Sequence, residues 1–343
     1  MAVIALSVVG ASASGDLVGY AATGHGGLLD LLGERGHRLV EPGDPDATHF
    51  VAMDHNRGSL AAIADRVPRP RRQLIAFEPR VVLPDNYRDS VRAEYGDVVA
   101  VGAESSSAGR VVVPCPQRDW RVGPTSKGEH RIGSSVLINA NKISMIAGSL
   151  YGLRREVIRA FDREGLPLTL AGSNWSRRGS RVQIENARAL GYAILNRQRI
   201  DLGEWAGRLP LQGSVDNIGI IADKQSELAK HEFAIVIENS ANYVSEKLFD
   251  AVAAGCVPLY VGPPLEHMGI PGEVAIQLGR APRSGEFTDA VRAVSDSQRS
   301  AVRRAGSQWL ADERTVRAWA MPYALDRLAS EIHRMTEKEA RVA

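Results

Sequence analysis

Cysteine is almost absent from this chain: there are two among 343 residues, Cys115 and Cys256, far apart in sequence. That argues against a disulfide framework or a zinc site of clustered thiols, and it fits a reducing compartment such as the cytoplasm. Long apolar runs are missing too, so no transmembrane segment is expected. The opening, MAVIALSVVGASASG, has the apolar run and small residues of a secretory signal but lacks its basic start. Val3–Val9 reads instead as the first strand of a domain. Charge of one sign is also lacking: 42 Lys and Arg against 40 Asp and Glu leave a net +2, with a pI near 8.6. This balance is too mild for a nucleic-acid partner. The clusters Arg69, Arg71, Arg72 and Arg177, Arg178, Arg181 read as solvated faces or anion contacts. There is no internal repeat and no low-complexity segment. No Gly-x-Gly-x-x-Gly follows the first strand, which argues against a nicotinamide-dependent dehydrogenase.

What is present is an ordinary globular composition, 44% apolar and 24% charged, in a chain long enough for two domains with separate cores. Strand and helix patterns alternate from the start: Val3–Val9, a helix near Leu28–Arg35, His49–Met53, a helix near Leu60–Arg66, and Gln73–Phe77. This is the rhythm of an α/β fold with a mostly parallel sheet covered on both faces. Gly24-His25-Gly26-Gly27 opens the first helix as a glycine-rich start. The last of these strands runs into Glu78-Pro79. A carboxylate at a strand end, before a proline that restricts its backbone, either projects into a cleft or is simply a charged loop residue. Glu94, Asp85 and Asp89 compete with it nearby.

Between Pro114 and Ser135 the chain becomes polar and irregular, which places a linker and a domain boundary near residue 125. A second βαβ pattern follows: a strand Val136–Asn139, a helix over Gly148–Arg163 and a strand Leu168–Ala171. Arginines 154 and 155 on that helix read, from the pattern alone, as surface residues. Asn174, Trp175 and Ser176 border the cleft or form a surface turn. A strand-like Val274–Gln277 and helices come later. Ser295-Asp296-Ser297-Gln298 reads as a capping box. Pro322 should break or restart the last helix, which ends in a charged tail, Thr336–Ala343.

The most informative stretch is His231–Pro264, one compact βαβ unit. Phe233–Ile237 is a buried strand, Ser240–Asn242 a polar turn, and Ser245 caps a helix that Gly255 stops. Val257–Val261 is the second strand. The crossover brings Glu238, Asn239 and Ser240 beside Tyr243, Glu246 and Lys247, at the edge where open α/β sheets bind ligands. Lys247 falls in the first helical turn, where the helix dipole disfavours a cation by about 0.3 kcal/mol or more. Either the lysine reaches away into solvent, or it shares a bound anion with the helix N-terminus.

The run ENS…YVSEKLFDAVAAGCVPLYVGPP resembles the donor-binding signature of the α1,3-fucosyltransferase family over roughly thirty residues, with weaker agreement across most of the chain. The resemblance implies a GT-B fold, two Rossmann-like domains facing across a cleft: residues 1–125 on the acceptor side, 126–320 binding a GDP-sugar, and a helix over 321–343 that returns to the first domain. It implies inverting transfer of L-fucose from GDP-fucose to a hydroxyl of a glycan or glycoconjugate, with no cofactor and no metal. Asp44-Pro45-Asp46, formally an Asp-x-Asp, lies in a Gly/Pro turn before a strand and reads as a turn. Animal relatives carry an N-terminal membrane anchor, whereas this chain looks like a bacterial-type cytoplasmic enzyme.

Carried over residue by residue, Glu78 matches the family's general base, which would take the acceptor proton. Asn139 and its neighbours resemble the Val-Ser-Asn element. Arg154 matches the phosphate-binding arginine, with Arg155 the adjacent alternative. Glu238, Asn239, Tyr243 and Glu246 would line the donor pocket, Lys247 would hold the diphosphate, and Lys224 and Ser240 are further matches. One departure stands out. About four residues usually separate the ENS element from the tyrosine, and here there are two, Ala241 and Asn242. That leaves open another donor, such as GDP-galactose, GDP-mannose or a GDP-deoxysugar, and beside it a non-catalytic sugar-nucleotide-binding protein.

Overall fold

A computed structural model of the chain describes residues 1–9, 14–102, 111–113, 115, 117, 118, 120, 131–176, 180–207, 209, 213–279 and 282–340. Position 125 and most of the polar linker, Arg177 and Arg178, and the last three residues of the tail lie outside these. The chain divides into two compact units, Met1–Asp119 with Glu313–Ala343, and Trp120–Asp312.

The first unit holds a parallel sheet of β1 (Val3–Ser7), β2 (Arg38–Val40), β3 (His49–Met53), β4 (Arg72–Ala76), β5 (Asp97–Val101) and β6 (Val111–Val113), in the order β2-β1-β3-β4-β5-β6. Side chains alternate between two cores, as the pleat requires. Ile4, Leu6, Val51 and Met53 face one side, and Ala5, Phe50 and Ala52 the other. Asn56 starts the helix Arg57–Ala61 earlier than the apolar spacing suggests, because its side chain accepts from the amide of Ser59 at 2.8 Å.

The second unit holds β7 (Arg131–Ile138), β8 (Leu168–Ala171), β9 (Val215–Gly219), β10 (His231–Ile237), β11 (Val257–Val261) and β12 (Ile276–Gln277), all parallel, in the order β12-β11-β10-β7-β8-β9. Every residue of β10 and β11 is buried, so Phe233–Ile237 and Val257–Val261 read as unbroken apolar runs, with His231 and Glu232 buried ahead of the first. Four helices matter below: α1 (Tyr151–Arg163), α2 (Lys224–Leu228), α3 (Glu246–Ala253) and α4 (Met321–Ala340). Gly255, at φ +76°, ends the run of α3 in a left-handed turn that other residues rarely adopt. The capping box at Ser295 and Gln298 is present in full. Pro322 sits at the second position of α4, where its missing N–H costs nothing, so it restarts the helix after Trp319. Helix α4 belongs to the first unit: Leu325, Leu328, Ala329, Ile332 and Met335 complete the core over β1 and β3.

The strand orders carry a functional consequence. In the second unit the chain winds outward from β7 through β9, then returns to the other side of β7 with β10, the doubly wound order. In the first unit the reversal falls between β1 and β3. Ligands of open α/β sheets bind beyond the carboxyl ends of the strands at such reversals.

Candidate active site

At the β7/β10 reversal, β10 delivers Glu238, Asn239 and Ser240, and β7 delivers Asn139. Glu238 is fully buried. Its Oε1 accepts from the Ser245 amide at 3.0 Å and its Oε2 from the Ser245 hydroxyl at 2.6 Å. Ser245 in turn caps α3. Lys247 turns back rather than out: its Nζ donates to Ser245 Oγ at 2.8 Å and lies 3.5 Å from Glu238 Oε2. The anion that meets Lys247 at this helix start is thus the protein's own. An ammonium has three protons, and these two contacts leave one.

Gly262 at the end of β11 has no room for a side chain. A Cβ there would lie 2.3 Å from the Tyr260 hydroxyl and 2.9 Å from Glu238 Cγ. Burial, then the nearby Glu238 charge, pushes the Tyr260 phenol far above its ordinary pKa, so it stays protonated.

Arg154 enters from the first turn of α1 and is 2% exposed. One terminal nitrogen donates to the Ile237 carbonyl at 2.8 Å, the Glu238 carbonyl at 3.0 Å and Asn239 Oδ1 at 2.9 Å. Its guanidinium also stacks over the Tyr151 ring. Burial lowers its pKa to about 10, with Tyr151 and Glu238 opposing, so it is a cation at neutral pH. Arg155 points elsewhere, donating to the carbonyls of Glu204 at 2.6 Å and Lys142 at 3.1 Å and pairing with the Glu204 carboxylate at 3.6 Å. Of the two arginines, Arg154 reaches the strand end and Arg155 anchors the loop that carries Glu204.

Beside α3, Lys224 donates to Asp250 Oδ2 at 2.8 Å and lies 3.6 Å from Glu246 Oε1. Burial works against the Lys224 charge, but Asp250 and Glu246 outweigh it and raise its pKa. Burial likewise opposes the Glu246 charge, yet Lys247 and then Lys224 hold that half-exposed carboxylate well below its usual range. Asp250, missed in the sequence, could have been read from the Glu246/Asp250 spacing, which puts both on one helix face. A cavity of about 20 Å³ lies under α3 between Lys224, Lys247 and Asp250, room for one water and not for a nucleotide.

Several buried polar atoms at this reversal have no hydrogen-bond partner among the described residues: Asn139 Oδ1, Ser240 Oγ and Arg154 Nε. Tyr243, three residues after Ser240, is buried as well. Asn174, Trp175 and Ser176 lie in a turn in which Ser176 is exposed and Trp175 is buried, its indole donating to the Asn139 carbonyl at 2.5 Å.

In the first unit, Glu78 follows β4 and is half-buried. Its amide and that of Phe77 both donate to Asp54 Oδ1, at 3.0 and 2.7 Å. Tyr87 donates to its carbonyl at 3.2 Å. Among the described residues no group of three or more His, Cys, Asp or Glu is placed to hold a metal. No described helix is long and apolar enough to cross a membrane.

The sequence matches no protein-family profile and no curated protein sequence. Solved structures share its fold. Alr3699/HepE of Anabaena, in complex with UDP, superposes with a TM-score of 0.51 at 12% identity, over 89% of this chain and 81% of that one. An α1,3-fucosyltransferase gives 0.53 at 12% identity, over 97% and 89%. The α,α-trehalose 6-phosphate synthase of Burkholderia multivorans gives 0.51 at 10% identity, over 88% and 73%. At such identities the likeness is one of fold. The chain has the glycosyltransferase-type GT-B fold, with two Rossmann-like units, each built on a parallel sheet.

Proposed function

We propose that the protein is an inverting glycosyltransferase that moves L-fucose from GDP-fucose to a hydroxyl of a glycan or glycoconjugate. The observation that carries this reading is the set of partnerless buried polar atoms at the β7/β10 reversal, beside two cations, Arg154 and Lys247. Buried polar groups are nearly always satisfied, and unsatisfied ones at a strand reversal suit a polar ligand such as a nucleotide sugar. Lys247 donates its remaining proton to the diphosphate. Arg154 holds the 237–239 turn in shape and adds positive charge beneath it. Together they offset the charge that builds on departing GDP, with protein cations in the role a metal plays elsewhere. Glu246 meets ribose or sugar hydroxyls, and Asn239, Ser240 and Tyr243 shape the donor pocket around them. In the reaction, Glu78 takes the acceptor hydroxyl proton, the new C–O bond forms at the anomeric carbon, and the bond to the GDP oxygen breaks from the opposite side.

A second reading keeps the fold and changes the donor. The two-residue spacing of Ala241 and Asn242 favours it, and HepE, with the same fold, has been solved with UDP. A thermal-shift and turnover panel of GDP-fucose, GDP-mannose, GDP-galactose and UDP-glucose separates the two. GDP-fucose should stabilise the protein beyond GDP alone and be consumed. Stabilisation by UDP-glucose with no response to any GDP-sugar overturns the nucleotide assignment.

A further inference from the structure

We propose that Asp54 is the positioning residue of Glu78: its carboxylate fixes the backbone from which the glutamate leaves the sheet. The inference rests on the reading of Glu78 as the base. Asp54 follows β3, at the β1/β3 reversal of the first unit, and Glu78 follows the neighbouring β4.

The geometry around Asp54 is unusual in two independent ways. Its φ is +65°, a left-handed conformation that residues with a Cβ seldom adopt and that Asp tolerates better than most. In that conformation one oxygen, Oδ1, receives three donors: the Phe77 amide, the Glu78 amide and Asn86 Nδ2 at 2.7 Å. Two of the three are the consecutive amides that lead into Glu78. The third belongs to a fully buried side chain, which also approaches the Glu78 carbonyl at 3.5 Å and accepts from the His55 amide at 2.8 Å. The Tyr87 hydroxyl closes the other side of the same carbonyl.

Every polar backbone group of Glu78 is therefore held, its N–H by Asp54 and its C=O by Tyr87 and Asn86. Pro79 then limits the torsions on the following side. A general base works within hydrogen-bond reach of the proton it takes, and small misplacements are expensive, so a backbone fixed from three directions serves the chemistry directly. A turn needed only to join β3 to the next segment would be served equally well by glycine at position 54, without the left-handed strain.

Two substitutions separate positioning from general support. Asp54→Gly suits φ +65° and deletes the carboxylate, so it relieves the strain as it removes the clamp. Asp54→Asn keeps an acceptor oxygen and tolerates the same φ. Turnover of GDP-fucose is followed with water as the acceptor, beside amide exchange at Phe77 and Glu78. We expect D54G to lower kcat about a hundredfold with KM for GDP-fucose within about twofold of the native value. Exchange at those two amides should rise about tenfold or more, while Leu74 and Ile75 stay protected. D54N should recover most of both effects. Unchanged exchange in D54G overturns the clamp, with or without turnover. Unchanged kcat in D54G, when Glu78→Gln has lost it, overturns the positioning role and leaves the base reading standing. Undiminished turnover in E78Q removes the base reading and this inference with it, and the exchange data then still report whether the clamp exists.

Discussion

Glu238 and Ser245, seven residues apart, form a closed pair in which one carboxylate takes both the amide and the hydroxyl of a single serine. Because that serine also caps α3, the pair fixes where the helix begins and therefore where Lys247 stands. Ser245→Ala should cost about 1–2 kcal/mol, the usual worth of an N-cap, read as a fall in the urea midpoint at unchanged slope.

Lys247→Ala should weaken GDP binding about tenfold or more, since a charge-assisted hydrogen bond to phosphate is worth at least that much. Titration calorimetry with GDP measures it. An unaltered affinity would take Lys247 out of the diphosphate site.

Arg154→Lys keeps the charge but loses the planar fork. All three acceptors, the Ile237 carbonyl, the Glu238 carbonyl and Asn239 Oδ1, are met by one terminal nitrogen that the shorter lysine does not reach from the same backbone, and the stack over Tyr151 is lost as well. One buried acceptor left unsatisfied costs about 1–3 kcal/mol. Urea unfolding of R154K should show a loss of that size.

Glu204 gives a pH signature. Burial pushes its carboxyl up to about 7 from an ordinary 4.5, although Arg155 and the Gly152 amide pull the other way. An acid raised in the folded state binds its proton more tightly there than when unfolded. Its contribution is fully present below about pH 4.5 and lost as pH rises through about 7. Urea midpoints of the native protein, minus those of Glu204→Gln, should therefore fall across that window. A flat difference would mean that Glu204 titrates normally.

Leu328→Ala should destabilise the first unit by about 3 kcal/mol, the typical cost of deleting a buried leucine, because Leu328 is fully enclosed in the core over β1 and β3. Thermal unfolding measures it.

Much of this architecture is legible in the residues. His49–Met53, Leu168–Ala171 and Val257–Val261 are strands with the bounds their apolar runs suggest, because a strand buried on both faces leaves an unbroken signal. Val3–Val9 reads two residues too long, since Val8 stays buried after the pairing stops at Ser7. Val274–Gln277 shortens to Ile276–Gln277 behind a single 3-10 turn. The helix Ser180–Leu195 and the strand Val215–Gly219 give little warning. The helix exposes Ile184, Ile194 and Leu195, and the strand is an edge with polar residues at its centre.

At the site, spacing indicates which residues share the strand edge but not which way they turn. Lys247 folds back onto Glu238, and Arg154 is drawn inward by carbonyls 83 and 84 residues away. Asp54 is the least legible of all. Nothing in Met-Asp-His-Asn singles it out, and only the fold brings that aspartate to residues more than twenty positions downstream.

Helix α4 lies in the first unit although it is translated after the whole of the second. While the ribosome is still working, residues 120–312 have already emerged as a complete folding unit, but the earlier sheet still lacks Leu325 through Met335 to cover one side. The earlier portion must therefore wait, with apolar surface exposed, until residues 325–335 have emerged. The order of synthesis and the order of completion run in opposite directions, and premature termination upstream of residue 325 would leave the leading half sticky rather than merely shorter.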